Sequence, residues 1–191
     1  EHIVLPSAGR LRWAYAVTKL ADEFLAFSYA RKYDLHIVVV RLFNTIGPNQ
    51  VGHYGMVVPS FVKQAVRNAP LTIYGEGSQT RSFCDVRDTV VALDRLAGCQ
   101  EAWGEVVNVG NDQEISIHDL AELIVQRAHS HSPIHFISYK DAYGEEFEDV
   151  THRRPELNKL RALTGFSPEW TLVDTLDDLT ARESAKNRRA A

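Results

Sequence analysis

Cysteine, methionine and long apolar runs are what this sequence has least of. Two cysteines, Cys84 and Cys99, stand in 191 residues, with no C-x-x-C pair and no spacing that reads as a disulfide framework. Both look like small apolar residues beside or within a helix, the commoner role of a free Cys, and a reducing, cytoplasmic setting is the default. No apolar run approaches the about eighteen residues that a membrane span needs, and no signal-peptide pattern opens the chain. Positive charge is not in excess: the net charge is −4, which disfavours a general nucleic-acid binder. Met56 is the one methionine, and the chain opens Glu1-His2-Ile3. A translation product begins with Met, so the sequence is expected to be a piece of a longer protein.

Several chemical signatures are missing too. There is no G-x-S-x-G and no P-loop. The eight histidines do not fall at zinc spacing: His129 and His131 are too close for one helix face, and Pro133 separates His131 from His135. No metal site is expected.

What is present is an ordinary globular composition, 45% hydrophobic and 24% charged, long enough to bury a core. The pattern alternates helix and strand. Apolar side chains recur at helical spacing over 11–33, and Asp34 ends the run. Residues 35–43 (LHIVVVRLF) are nearly continuous in hydrophobicity, as in a strand buried on both faces. A helix followed closely by such a strand suggests a parallel α/β sheet. A loop rich in Asn, Gly and Pro covers 44–55, and a helix over about 57–68 tolerates Pro59 in its first turn. Strands are expected at 71–74, 105–109 and 134–138. Asp85 can cap a helix through about Leu96. Ser116 with Asp119 resembles a capping box opening a helix to about His129. Residues 139–155 read as a long polar loop, followed by helices at 156–163 and about 172–185 and a frayed tail.

Four constellations carry chemistry. Tyr15 and Lys19 lie at i, i+4 and share a helix face. An ammonium beside a phenol stabilises the phenolate, whose ordinary pKa is about 10, and fits it for acid/base work; the same spacing also suits an amphipathic helix with a surface lysine. Arg41 to Pro48 (RLFNTIGP) closes the parallel strand, where ligands gather in open α/β sheets; Asn44 there can donate its amide to an anion, or simply end the strand. Tyr74 to Phe83 (YGEGSQTRSF) places Arg81, able to fork onto a phosphate, after a G-x-G that lacks the third glycine of a dinucleotide fingerprint; a turn with a surface arginine fits as well. Finally, the stretch from Tyr139 to Pro155 joins aromatics and acids to the pair Arg153-Arg154. It suits either a solvated face or an anion-binding lid.

In this order, the four segments resemble one family, the extended short-chain dehydrogenase/reductases that act on nucleotide-activated sugars: UDP-sugar 4-epimerases, dTDP-glucose dehydratases and UDP-glucuronate decarboxylases. The resemblance runs from about Arg12 to Trp170. Its specific pieces are R-W-x-Y-x-x-S/T-K from Arg12 to Lys19, R-x-F-N-x-x-G-P from Arg41 to Pro48, and G-x-G-x-Q-x-R-x-F from Gly75 to Phe83. The stretch Ser138 to Pro155 looks most like the decarboxylase branch.

The resemblance implies an α/β fold: the C-terminal part of a Rossmann-like NAD(P)-binding domain over 1–50, then mainly a small mixed α/β nucleotide-sugar domain over 51–191, with about 85–110 packing back on the Rossmann sheet. It implies NAD as cofactor. Tyr15 would take the proton of the sugar C4 hydroxyl as hydride leaves, and Lys19 would hold the nicotinamide ribose. Phe43 would pass the nicotinamide, Asn44 and Arg81 would contact the diphosphate, and Tyr74 would pass the nucleobase. Arg153 would reach the substrate and assist proton transfer; Phe147 stands where the decarboxylase branch can carry a tyrosine packed on uracil. A C4 ketone acidifies the C5 proton and turns a C6 carboxylate into a β-keto acid, so one oxidation serves epimerisation, dehydration or decarboxylation. The family's glycine-rich fingerprint and Ser/Thr-x-Glu segment would lie upstream, in ~120–150 residues preceding Glu1 by the length of several βα units. The chain alone is then expected to be inactive, with weak or no NAD affinity. The helix at 11–33 would form half of a homodimer interface. The rival readings are a dehydrogenase or reductase of the same fold acting on a non-nucleotide substrate, and a non-catalytic NAD(P)-binding regulator.

Overall fold

The computed structural model describes residues 13–51, 56–143 and 150–190. Arg12, the start of the 11–33 run and Phe147 therefore lie outside the described residues. In chain order the elements are α1 (Ala14–Tyr33), β1 (Val39–Leu42), β2 (Thr45–Ile46), α2 (Val57–Val66), β3 (Leu71–Tyr74), β4 (Thr80–Ser82), β5 (Cys84–Asp85), α3 (Val86–Ala97), β6 (Val106–Val109), β7 (Glu114–Ser116), α4 (Ile117–Arg127), β8 (Ile134–Ile137), α5 (Tyr139–Tyr143), β9 (His152–Arg153), α6 (Asn158–Thr164) and α7 (Leu172–Ala190). Among the described residues no helix is long and apolar enough to cross a membrane.

The pairing is mostly parallel, as an alternation of helix and strand requires. β1 runs beside β6 from Val39↔Val106 to Leu42↔Val109, β2 beside β5, and β3 beside β8 from Leu71↔Ile134 to Tyr74↔Ile137. One antiparallel pair, β4 with β7, extends in parallel to β9, giving the order β7-β4-β9.

The helix starts follow local chemistry. The Asp85 carboxylate accepts from the Arg87 backbone N–H at 2.8 Å, and Ser116 Oγ accepts from Asp119 N–H at 2.9 Å; each satisfies a donor that a first helical turn leaves open. α1 stops at Asp34, which turns left-handed (φ 54°) and returns its N–H to the Ala30 carbonyl.

Two apolar cores result. The larger gathers α2, β3, α4 and α7 around Phe61, Leu71, Ile73, Leu120, Ile124 and Leu176; the second packs α3, β6 and α6 around Leu96, Val107, Val109, Leu160 and Phe166. A polar clasp ties the start of α3 to the end of the chain. Asp85 also accepts from Arg87 Nε at 2.7 Å and from Thr175 Oγ1 of α7 at 2.8 Å. The Arg87 guanidinium lies 3.3 Å from the Trp170 ring centroid, and the Asp88 carboxylate accepts from the backbone N–H groups of Glu169 and Trp170.

Some expectations need correction. The strand expected over 35–43 is four residues long, and Leu42 is half exposed, because among the described residues β6 alone pairs with it and its other edge stays open. The loop at 44–55 contains β2. The loop at 139–155 contains α5, opened by Ser138 Oγ accepting from Asp141 N–H, and β9, held by its register on β4. The expected frayed tail is helical to Ala190: its Ala, Glu, Lys and Arg residues are good helix formers, and Arg188 and Arg189 suit the negative helix end.

Candidate active site

A cleft of ≈ 790 Å³ opens between α1, the segment after β1, α2, β3, β4 and α5. Tyr15, Asn44, Tyr74 and Arg81 all line it. The sequence segments that bear these four residues span more than sixty positions, and the fold draws them together: Asn44 follows the carboxyl end of β1 and is bonded to the end of β4, while β3 and β4 bring Tyr74 and Arg81 to the same cleft. Lys19, Phe43 and Arg153 are not among the described lining residues.

Tyr15 stands in the first turn of α1 and is 70% exposed. Lys19 Nζ lies 5.8 Å from the Tyr15 ring centroid, so the two share a face. The ammonium is also 2.8 Å from Asp22 Oδ2. The Asp22 hydrogen bond and charge hold the Lys19 pKa above its ordinary value, which keeps it cationic.

Asn44 has a left-handed backbone (φ 34°), a conformation Asn tolerates better than most residues. Its Nδ2 donates to the Ser82 carbonyl at 2.8 Å. One amide proton thus fastens the segment after β1 to the end of β4, and a primary amide has one more to give. Arg81 Nη1 donates to the Thr80 and Val150 carbonyls, each at 2.7 Å, which anchors its guanidinium in the cleft wall. Tyr74 is partly exposed, and its carbonyl accepts from Gln79 Nε2 at 3.3 Å. Behind it the chain turns through Gly75 at φ +75°, where a Cβ would stand 2.5 Å from Tyr139 Cε2. The Tyr139 ring therefore packs against the glycine and forms part of that wall. Arg153, on β9, has its guanidinium carbon 5.8 Å from the Phe43 ring centroid.

Two lining residues escaped sequence reasoning. Gln50 Oε1 and Gln64 Oε1 are buried with no hydrogen-bond partner among the described residues. Gln50 is oriented by its Nε2, which donates to the Thr45 carbonyl at 3.2 Å. An unsatisfied buried acceptor is costly, so such atoms in a cleft wall suit a polar ligand or ordered water. A Gln in an amphipathic helix reads only as a polar position, and nothing in the sequence distinguished Gln64.

Elsewhere, His118, Asp119 and Glu122 at the start of α4 place potential ligand atoms within 4.8 Å of one another. The helical spacing 118, 122 was not among the histidine pairs weighed from sequence. All three are solvent-accessible, and carboxylates favour a helix N-terminus for its dipole alone. Cys84 is buried, and burial pushes its thiol pKa up to about 11, which makes it inert. A smaller groove of ≈ 360 Å³ between residues 47–50, α2 and α7 holds none of the site residues expected from sequence.

Comparison with known proteins gives the family and the fold. A family model described as the NAD dependent epimerase/dehydratase family matches residues 4–110. A curated UDP-N-acetyl-alpha-D-glucosaminuronate decarboxylase of Bacillus cytotoxicus is 35% identical over 167 residues, which is 85% of this chain and 50% of that protein. The chain thus spans about half the length of this relative. Among solved structures, an epimerase of Methanothermobacter thermautotrophicus superposes with a TM-score of 0.82 at 29% identity, over 92% of this chain and 51% of its own. The UDP-glucuronic acid 4-epimerase of Bacillus cereus, in complex with UDP-glucuronic acid and NAD, gives 0.79 at 26% identity over 90% and 52%.

Proposed function

Because this chain belongs to the NAD dependent epimerase/dehydratase family, we propose that it is the substrate-side part of an NAD-dependent enzyme that transiently oxidises C4 of a UDP- or dTDP-sugar, with decarboxylation of a UDP-glucuronate-type substrate or 4-epimerisation as its outcome. The observation that carries the reading is the convergence of Tyr15, Asn44, Tyr74 and Arg81 on one cleft. NAD, when bound, supplies the hydride acceptor. The residues present suit it: Tyr15 and Lys19 are both open to a ligand rather than spent in a core.

In this reading the Tyr15 hydroxyl takes the C4 hydroxyl proton, and the Lys19 ammonium stabilises the phenolate and meets the nicotinamide ribose. Phe43 passes the nicotinamide. Asn44 uses its remaining amide proton, and Arg81 its guanidinium charge, on the diphosphate. Tyr74 passes the nucleobase, and Arg153 approaches the substrate from β9 to assist proton transfer. Metal plays no part in the scheme.

The same reading assigns 1–50 to the end of the cofactor domain and 51–191 mainly to the sugar-nucleotide domain, with 85–110 returning to the first; the β1–β6 pairing supports this division. A homodimer through α1 is supported by Phe24, Leu25, Tyr29 and Tyr33, all more than half exposed. Cytoplasmic location is supported by two free thiols.

The test is turnover by the full-length protein. With NAD it is expected to convert UDP-glucuronate, releasing CO₂ or the C4 epimer, and Tyr15→Phe should lower kcat by at least ~100-fold. Failure to turn over any UDP- or dTDP-sugar, with NAD bound, ends the reading.

A further inference from the structure

The three-stranded sheet β7-β4-β9 has two faces of different chemistry. Successive residues of a strand point to opposite faces, and residues in register share one. Arg81 is in register with Ile115 on one side and Arg153 on the other, so the two arginines stand on one face, the face that Arg81 turns to the cleft. Thr80 is in register with Ser116 and His152 and belongs to the opposite face.

On that opposite face a chain of hydrogen bonds crosses all three strands. Thr80 Oγ1 donates to Glu114 Oε1 at 2.6 Å, and His152 Nδ1 lies 2.9 Å from the same hydroxyl oxygen. A hydroxyl has one proton, and a carboxylate only accepts. With that proton on Glu114, His152 Nδ1–H must donate to Thr80. The direction is fixed: His152 to Thr80 to Glu114. His152 Nδ1 is also 3.9 Å from Glu114 Oε1.

β9 is two residues long. Its backbone tie to β4 includes Thr80 N–H to the Thr151 carbonyl at 2.9 Å, and the Arg81 side chain adds the Val150 carbonyl at 2.7 Å. So short a strand gains little from pairing alone. It also sets Arg153 opposite Arg81 in register, and like charges directly opposite across a sheet oppose pairing. Side-chain bonds therefore carry part of the placement of β9.

We propose that Thr80 is a positioning residue: by linking His152 to Glu114 it pins β9 on β4, and thereby presents Arg153 beside Arg81 to a single doubly charged anion, the diphosphate of a sugar nucleotide. The choice of anion rests on the function proposed above; the pinning does not.

Thr80→Val keeps the shape and removes the hydroxyl, whereas Thr80→Ser keeps the hydroxyl. Hydrogen exchange is expected to quicken ~10-fold at residues 150–154 in Thr80→Val, with β3, α2 and α4 unmoved, and to return to the parent rate in Thr80→Ser. His152→Ala, at an exposed side chain, should reproduce the Val result and serves where Thr80→Val does not fold. Affinity for UDP, measured by calorimetry, should fall ~10-fold in Thr80→Val, and Thr80→Val should add nothing to Arg153→Ala, since both remove the same contact. Unchanged exchange at 150–154 in either variant overturns the inference, as do losses of UDP affinity that simply multiply in the double variant. A protein that shows the expected exchange but binds neither UDP nor dTDP upholds the pin and overturns the nucleotide-sugar reading instead.

Discussion

α1 and α4 are both long, well-formed helices, yet they relate to the molecule in opposite ways. α4 buries Ile117, Leu120, Ala121 and Ile124 in the larger core. α1 buries no residue at all, and its described side-chain tie to the sheet is the two-pronged pair between Glu23 and Arg41 of β1, at 2.7 and 2.9 Å. The residue proposed for proton transfer, Tyr15, thus rides on the helix that contributes least to this fold, while Asn44, Tyr74 and Arg81 ride on parts fixed by two cores. The residues proposed for binding and the residue proposed for proton transfer thus sit on elements packed to different degrees.

The comparison breaks most sharply with truncations. Leu120→Ala or Ile124→Ala in α4 should cost about 2–5 kcal/mol of unfolding free energy. Phe24→Ala in α1 should cost under about 0.5 kcal/mol, measured by urea denaturation on the same protein. Equal losses would show that α1 is cemented after all.

Next in size is the clasp that joins the two cores. Burial raises the Asp85 pKa, but the Arg87 side-chain and backbone hydrogen bonds and the Thr175 hydroxyl outweigh it, and the carboxyl ends below its ordinary value. Asp85→Ala should cost about 3 kcal/mol, through the lost cap and the charge-assisted bonds. The Arg161 hydrogen bond likewise lowers Asp112, and the Arg127 hydrogen bond lowers Asp177. Depressed folded values mean that this stability is complete above the unfolded carboxylate pKa of about 3.9 and is lost as pH falls through the folded values. Acid titration followed by circular dichroism should show that loss, and Asp85→Asn should make it shallower.

A smaller effect isolates α1. The coupling between Glu23→Gln and Arg41→Met, read from a double-mutant cycle, is expected on the order of 1 kcal/mol, and either change should quicken hydrogen exchange in 14–33 while 117–127 stays protected. Smallest of all, Asp22→Asn should bring the Lys19 pKa down toward its ordinary value and leave the melting temperature where it was, because the pair is exposed. NMR titration of the lysine is the check.

Features written in contiguous residues were legible from the sequence. The caps at Asp85 and Ser116, the strand at 71–74 and the helix of Tyr15 need only local chemistry; of the residues the family motifs mark, Tyr15, Asn44, Tyr74 and Arg81 line the cleft, and Lys19, Phe43 and Arg153 are not among its described lining residues. What stayed hidden depends on partners far along the chain. β2 and β9 are two residues each and exist only by register with β5 and β4. The bond from Asn44 to Ser82 joins residues 38 apart, and the contact between Thr80 and His152 joins residues 72 apart. The same distance in sequence hid the second use of Arg81: a fork for phosphate was readable, but its grip on the Val150 carbonyl was not.

The contact between Gly75 and Tyr139 has a consequence for ligand size. Position 75 carries a hydrogen where any other residue would carry carbon, and the tyrosine ring rests in that allowance. The stand-off of α5 from β3 is therefore one hydrogen thick. Widening or narrowing the cleft beside Tyr74 needs no change among its polar groups; a single methyl at position 75, acting from behind the wall, would displace the ring and redraw the volume at that end of the cleft.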